Sequence, residues 1–132
     1  MNAGPVLIVD DNELNLRLAE TVLSQAGFEI GIARTVAEAR RQLASRRWSA
    51  VLMDLRLPDG HGLEVVRELR ARPDMSQIRI AALTASAMVG DPQSAFEAGC
   101  DAYISKPIEV RSFAAQVRAL IESAATERRD RT

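Results

Sequence analysis

The stretch Ala50-Val51-Leu52-Met53-Asp54-Leu55-Arg56-Leu57-Pro58-Asp59-Gly60 constrains this chain more than any other. An apolar run leads without a polar break into a carboxylate, and a Pro/Gly loop follows at once. A short continuous apolar run bounded by turn residues reads as a strand buried on both faces. Asp54 then stands at the carboxyl end of that strand, at the mouth of a sheet, where open α/β sheets bind their ligands. It is the candidate reactive residue, with the rest of the chain arranged to position, charge or read it.

The flanking sequence supplies the sheet. Val6-Leu7-Ile8-Val9 is a first buried strand and runs into Asp10-Asp11-Asn12. From Glu13 to Ala26, Leu16, Ala19, Val22, Leu23 and Ala26 recur at three- and four-residue steps, a helical pattern that Gly27 is placed to close. Phe28 to Ala33 is a weaker second strand with Gly31 inside it. Thr35-Val36-Ala37-Glu38 has the form of a capping box and opens a helix through Leu43 to Arg46. The third strand is Ser49 to Asp54. Leu63 to Ala71 is a helix with Val65, Val66 and Leu69 inward and Arg67, Glu68 and Arg70 outward. After a loop from Pro73 to Gln77, Ile78 to Thr84 is a fourth strand. Asp91-Pro92 sets an N-cap before a proline, starting a helix that reaches Ala98 and ends at Gly99. Ala102-Tyr103-Ile104-Ser105 is a fifth strand, closed by Lys106-Pro107. Phe113, Val117, Leu120 and Ile121 mark one face of a last helix.

Five repeats of strand then helix imply a parallel sheet with helices on both faces. Right-handed crossovers and short loops leave few topologies. The flavodoxin-like (βα)5 three-layer sandwich, strand order 2-1-3-4-5, fits five units. The 132 residues make one domain, assigned to residues 1–123, with a charged tail over 124–132 expected to fray or to lack order.

In that order the first and third strands are neighbours, so Asp10, Asp11 and Asp54 crowd one crevice. Three carboxylates repel, and a hard divalent cation resolves the repulsion. Mg²⁺, or Mn²⁺ in its place, takes oxygen ligands, uses one or two carboxylates directly and keeps waters and a phosphate oxygen. With one histidine and one distant cysteine, zinc has too few ligands. The acid cluster thus points to phosphoryl chemistry. Asp54 is the nucleophile of an acyl phosphate, Asp11 and Asp54 hold the metal, and Asp10 reaches it through water. Thr84, ending the fourth strand, can donate to a phosphate oxygen. Lys106, ending the fifth, can reach back to pair with the phosphoryl group.

Each residue taken singly has a plainer reading. Asp10-Asp11 is a helix cap, Asp54 a loop-start acid, Thr84 a strand end and Lys106 a solvated turn residue. Their shared place at the carboxyl ends of separate strands favours the site. Elsewhere the plain readings prevail. Cys100 is a small packed residue, Trp48 packs, His61 is an exposed loop residue near the site, and Arg46-Arg47 and Arg128-Arg129 are solvated charge. Met88 and Val89 are candidate apolar contacts for a partner.

These motifs also carry a resemblance. Val9-Asp10-Asp11-Asn12, Met53-Asp54-Leu55 with Pro58 and Gly60, Leu83-Thr84-Ala85 and Ser105-Lys106-Pro107 resemble the receiver domain of two-component response regulators, the CheY-like family, over Pro5 to Ser123. Asp11-Asn12-Glu13-Leu14-Asn15, Ala87-Met88, Gly90-Asp91 and Gly99-Cys100 narrow it to a single-domain cell-cycle regulator. The resemblance implies that a histidine kinase or histidine phosphotransfer protein phosphorylates Asp54 with Mg²⁺, and that the phosphoryl group is lost by slow autodephosphorylation. It implies a metal ringed by Asp10, Asp11 and the backbone carbonyl of Arg56, a cis Lys106-Pro107 bond, and a Thr84–Tyr103 switch. Output would pass to a downstream protein through the fourth helix, fifth strand and fifth helix, where Arg111 and Arg118 are expected.

Composition narrows the competing functions. A formal charge of −1 gives no field for nucleic acid or anionic membrane. A single cysteine, no long apolar run and no leader fit a cytoplasmic protein. A receiver excised from a larger enzyme, such as a hybrid kinase or nucleotide cyclase, is a second reading, against which Met1 and the short N-terminus weigh mildly. An aspartyl-nucleophile phosphatase is a third; it would want an acid where Asn12 stands. A flavin site is disfavoured, because the cofactor's phosphate would meet three carboxylates.

Overall fold

The computed structural model describes residues 4–75, 77–84 and 91–130, with residues 91–92 and 123–130 described by backbone alone. Five strands form one parallel sheet: β1 (Pro5–Val9), β2 (Glu29–Ala33), β3 (Ala50–Asp54), β4 (Arg79–Thr84) and β5 (Ala102–Ser105). Five helices alternate with them: α1 (Glu13–Gln25), α2 (Val36–Ser45), α3 (Gly62–Ala71), α4 (Asp91–Ala98) and α5 (Val110–Asp130). The order across the sheet is β2-β1-β3-β4-β5, the flavodoxin-like arrangement expected from the alternation. A small antiparallel hairpin stands outside this count: Arg56–Leu57 pairs with Gly60–His61 inside what the sequence gives as a plain loop.

Side chains alternate between two apolar layers, as strand geometry requires. Val6, Ile8, Leu52, Ala81 and Leu83 face α1 and α5, meeting Leu16, Leu23, Phe113 and Val117. Leu7, Val9, Val51, Met53 and Ala82 face α2, α3 and α4, meeting Val36, Leu43, Leu63, Val66 and Ala95. Every residue of β3 is buried, which is why it reads as an unbroken apolar run.

Local chemistry sets the helix ends. Asn12 caps α1 by accepting from the Asn15 amide, and Gly27 leaves the helix at φ +97°. Thr35 accepts from the Glu38 amide, while the Glu38 carboxylate reaches the Arg34 amide, one residue earlier than in the usual capping box. The described part of helix α4 runs from Asp91 to Ala98. Helix α5 carries past its last apolar position to Asp130, where Glu127, Arg128 and Arg129 favour a helix and no Gly or Pro interrupts it. Ala85, Ala87, Met88, Val89 and Gly90 lie outside the described residues.

Three arginines depart from the sequence reading. Arg70 does not face solvent. Its guanidinium donates to the carbonyls of Gly99 (2.8 Å) and Ile78 (2.6 Å) and to Asp101 Oδ2 (2.7 Å), with the side chain 21% exposed. Asp101 also accepts from Arg79 and from the Ile80 amide. This network pins the end of α3 to the start of β4 and the turn before β5. Arg118, expected on the partner face, lies over the Phe28 ring and donates to the Ala26 carbonyl, so it seals the end of α1 instead. Arg46 is likewise engaged, in a two-bonded pair with Glu29 and over the Trp48 ring.

Candidate functional site

Register brings the site together. Val9 lies beside Met53 and Asp54 beside Leu83, so β1, β3 and β4 end at one level. The Asp10 amide extends the β1–β2 pairing by donating to the Ala33 carbonyl, and the Lys106 amide extends β4–β5 by donating to the Thr84 carbonyl at 2.7 Å. Both backbones are therefore fixed by sheet hydrogen bonds one step beyond the strands, and their side chains turn into the crevice.

Asp10 is almost fully buried, Asp54 is 7% exposed, and Asp11 is exposed at the rim. One carboxylate oxygen from each of the three lies within 4.8 Å of the others. Lys106 Nζ is 2.7 Å from Asp10 Oδ2 and 3.1 Å from Asp54 Oδ2. The remaining oxygens are held by backbone: Asp10 Oδ1 accepts from the Asn12 amide at 2.9 Å and Asp54 Oδ1 from the Arg56 amide at 3.2 Å.

The electrostatics follow from this packing. Burial pushes the Asp54 carboxyl above its usual range; Lys106 and the Arg56 amide oppose the rise, and Asp10 adds to it. Burial would lower the Lys106 ammonium, but the Asp10 and Asp54 carboxylates outweigh it and hold the group above the usual lysine range. The site is a buried acid pair only half compensated by one tethered cation.

The residues fit a hard divalent cation. The donor set is all oxygen, as Mg²⁺ and Mn²⁺ prefer. Asp10 Oδ2 is buried and, though in ion-pair contact with Lys106, accepts no aligned hydrogen bond. An acceptor left so is suited to a metal-bound water.

Thr84 is buried at the end of β4 and Tyr103 is half-buried on β5. Tyr103 pairs in register with Ala82, two residues before Thr84, so both side chains belong to one face of the sheet. The Lys106-Pro107 bond is cis.

Several contributors escape the sequence reading. His61 is exposed, but its Nδ1 accepts from the Leu63 amide and caps α3. Gly62 donates to the Leu55 carbonyl at 2.8 Å, and a Cβ there would collide with the Asp54 carbonyl oxygen and lie 2.8 Å from Met53 Cγ. Asp59, on the hairpin turn, accepts from the Val36 and Ala37 amides. Only the Gly60-His61-Gly62 spacing before an apolar helix could have signalled the cap. Cys100 is buried as read, and burial pushes its thiol up to about 11.

Comparison with known proteins places these features. Residues 6–118 match the model of the response regulator receiver domain. A curated relative, the polar-differentiation response regulator DivK of Brucella anthropi, is 38% identical over 119 residues, covering 90% of this chain and 97% of its own. Among solved structures, a CheY-like response regulator receiver domain protein from Methanospirillum hungatei has a TM-score of 0.85 at 26% identity, covering 93% of this chain and 97% of the other. The receiver domain of a sensor histidine kinase from Pseudomonas aeruginosa, with a magnesium ion coordinated in its active-site cleft, has a TM-score of 0.82 at 31% identity, covering 90% and 98%.

Proposed function

The chain belongs to the response regulator receiver domain family of two-component signalling, and from that premise we propose that it accepts a phosphoryl group on Asp54 and passes the change to a protein partner. The observation that carries this reading is the convergence of Asp10, Asp11, Asp54 and Lys106 at the carboxyl edge of the sheet. Receiver domains bind Mg²⁺ in such an acidic pocket. Here Asp11, Asp54 and the Arg56 carbonyl would hold the ion, with Asp10 Oδ2 reaching it through water. When bound, the cation neutralises charge on the phosphoryl oxygens.

The Asp54 carboxylate attacks phosphorus of a phosphohistidine on a histidine kinase or phosphotransfer protein. The new O–P bond forms as the P–N bond breaks, and the electron pair returns to the imidazole nitrogen. Lys106, already 3.1 Å from Asp54 Oδ2, is in reach of the equatorial oxygens. Thr84 can donate its hydroxyl to a phosphoryl oxygen. The acyl phosphate carries about two negative charges where the carboxylate carried one, and the added charge and acceptors draw Thr84 toward the site; Tyr103, on the same face, turns into the space released. The readout face is α4, β5 and α5, which exposes Phe96 (49%) and Val110 (54%) with Arg111, and from which Arg118 is withdrawn.

The test is intact mass after incubation with acetyl phosphate or phosphoramidate, with and without Mg²⁺. One Mg²⁺-dependent phosphoryl adduct, absent from Asp54→Asn, is expected. An adduct unchanged in Asp54→Asn would place the acceptor elsewhere, and steady turnover of a simple phosphoester would make the chain a hydrolase.

A further inference from the structure

The hairpin that follows Asp54 is clamped to a helix on a different part of the chain. Asp59 sits in the two-residue turn between Leu57 and Gly60. Its Oδ1 accepts from the Val36 amide at 2.7 Å and its Oδ2 from the Ala37 amide at 3.1 Å. These are two of the orphan donors in the first turn of α2, and Thr35 satisfies the next one, on Glu38. Helix α2 thus needs Asp59 only in part, whereas among the described residues no other side chain hydrogen-bonds the hairpin tip to the body of the domain. The Gly60 end of the turn also closes on α2, where a Cβ would lie 3.4 Å from Val36 Cγ2. The base of the same hairpin is the site itself: the Arg56 amide bonds Asp54 Oδ1, and the Gly62 amide bonds the Leu55 carbonyl.

We propose that Asp59 is a positioning residue for the divalent-cation site, clamping the hairpin tip to the α2 N-terminus so that the Arg56 backbone is held beside Asp54. This rests on the reading that the Arg56 carbonyl is a metal ligand. The hairpin has two residues on each side and cannot fix its own geometry, since isolated hairpins of any length are marginal in water. The clamp uses a carboxylate on a helix N-terminus, where the exposed amides and the macrodipole both favour negative charge. Losing it would leave Asp59 and the hairpin to solvent while Thr35 still caps α2.

The experiment is Mn²⁺ binding to the full chain, followed by loss of the free-ion electron paramagnetic resonance signal. Wild type, Asp59→Ala, Asp59→Asn, Thr35→Ala and Asp11→Ala are compared, each checked by circular dichroism and thermal melting. Asp59→Ala is expected to weaken binding about tenfold, the low end for removal of an outer-shell partner. Asp59→Asn keeps a side-chain acceptor for the Val36 amide and should recover most of that loss. Thr35→Ala removes a cap from the same helix turn without freeing the hairpin, so it should lower the melting temperature and leave Mn²⁺ affinity at the wild-type value. Wild-type affinity in both Asp59 variants would overturn the proposal, as would an equal loss in Thr35→Ala. If Asp11→Ala still abolishes binding, the metal site itself stands. No binding by the wild type would overturn both readings.

Discussion

Replacing Gly62 by alanine tests whether the joint between β3 and α3 is as tight as the site requires. The added methyl would collide with the carbonyl oxygen of Asp54 and sit 2.8 Å from Met53 Cγ. The first neighbour is backbone and cannot rotate away, so the end of β3 must move relative to α3. Overpacking of this kind costs about 1–3 kcal/mol. Against it stands the gain from replacing glycine by alanine in a helix, at most about 1 kcal/mol in an interior and less at the first helical residue. Sterics therefore win, by about 1–2 kcal/mol on these figures, and urea unfolding followed by circular dichroism should read that loss. The movement falls on the residue carrying the acceptor carboxylate, so Mn²⁺ affinity should fall as well. Gly27→Ala is the matched control: nothing lies within 4 Å, but φ is +97°, so a similar cost of about 1–2 kcal/mol arises from backbone conformation alone. It should leave Mn²⁺ affinity unchanged. A Gly62→Ala protein as stable as wild type would refute the steric argument, and equal loss of affinity in Gly27→Ala would refute its locality.

Other perturbations have signs fixed by the packing. Because burial raises the Asp54 carboxyl, the folded chain holds that proton more tightly than the unfolded chain. The stability it contributes is full below the ordinary aspartate value of 3.8 and is lost as pH rises through the folded value. In divalent-free buffer Asp54→Asn should gain in urea midpoint over wild type across that rise, and a gain independent of pH would count against burial as the cause. Cys100, its thiol raised from 9.0 to about 11, should react with a disulfide reagent about 100-fold more slowly in the folded than in the unfolded chain near neutrality; equal rates would show the thiol to be accessible. Arg70→Ala takes the guanidinium from the Gly99 and Ile78 carbonyls and one of its donors from Asp101, and should cost about 2 kcal/mol in urea unfolding. A change within about 0.5 kcal/mol, usual for a surface substitution, would refute the network's role.

What the sequence makes legible here is what a residue owes to its own strand or helix. Asp10, Asp54, Thr84 and Lys106 each follow an apolar run, so strand order alone carries them to one edge. Asn12 and Thr35 cap helices that begin beside them. The residues that escape owe their roles to distant segments. Asp59 meets amides 22 and 23 positions earlier, and Arg70 meets carbonyls and a carboxylate 8 to 31 positions later. In a helical pattern an arginine beside Glu68 looks like any solvent-facing charge. Its burial depends on which turns the fold brings over the end of α3, and no periodicity encodes that.

Trp48 is the only tryptophan in the chain, and it sits just before β3, at the opposite end of the strand from Asp54. The residue is 6% exposed, its ring lies where a Cβ on Gly31 would be, and its Nε1 donates to the Gln42 carbonyl at 2.8 Å. The four residue steps of β3 put about 13 Å of sheet between it and the acceptor. The molecule therefore carries one indole fluorophore, separable by excitation wavelength from Tyr103, and placed to brighten or redden when the whole domain comes apart and to stay dark to a charge arriving at the mouth. Emission that changed on phosphorylation without unfolding would mean that the event at one edge of the sheet is felt at the other.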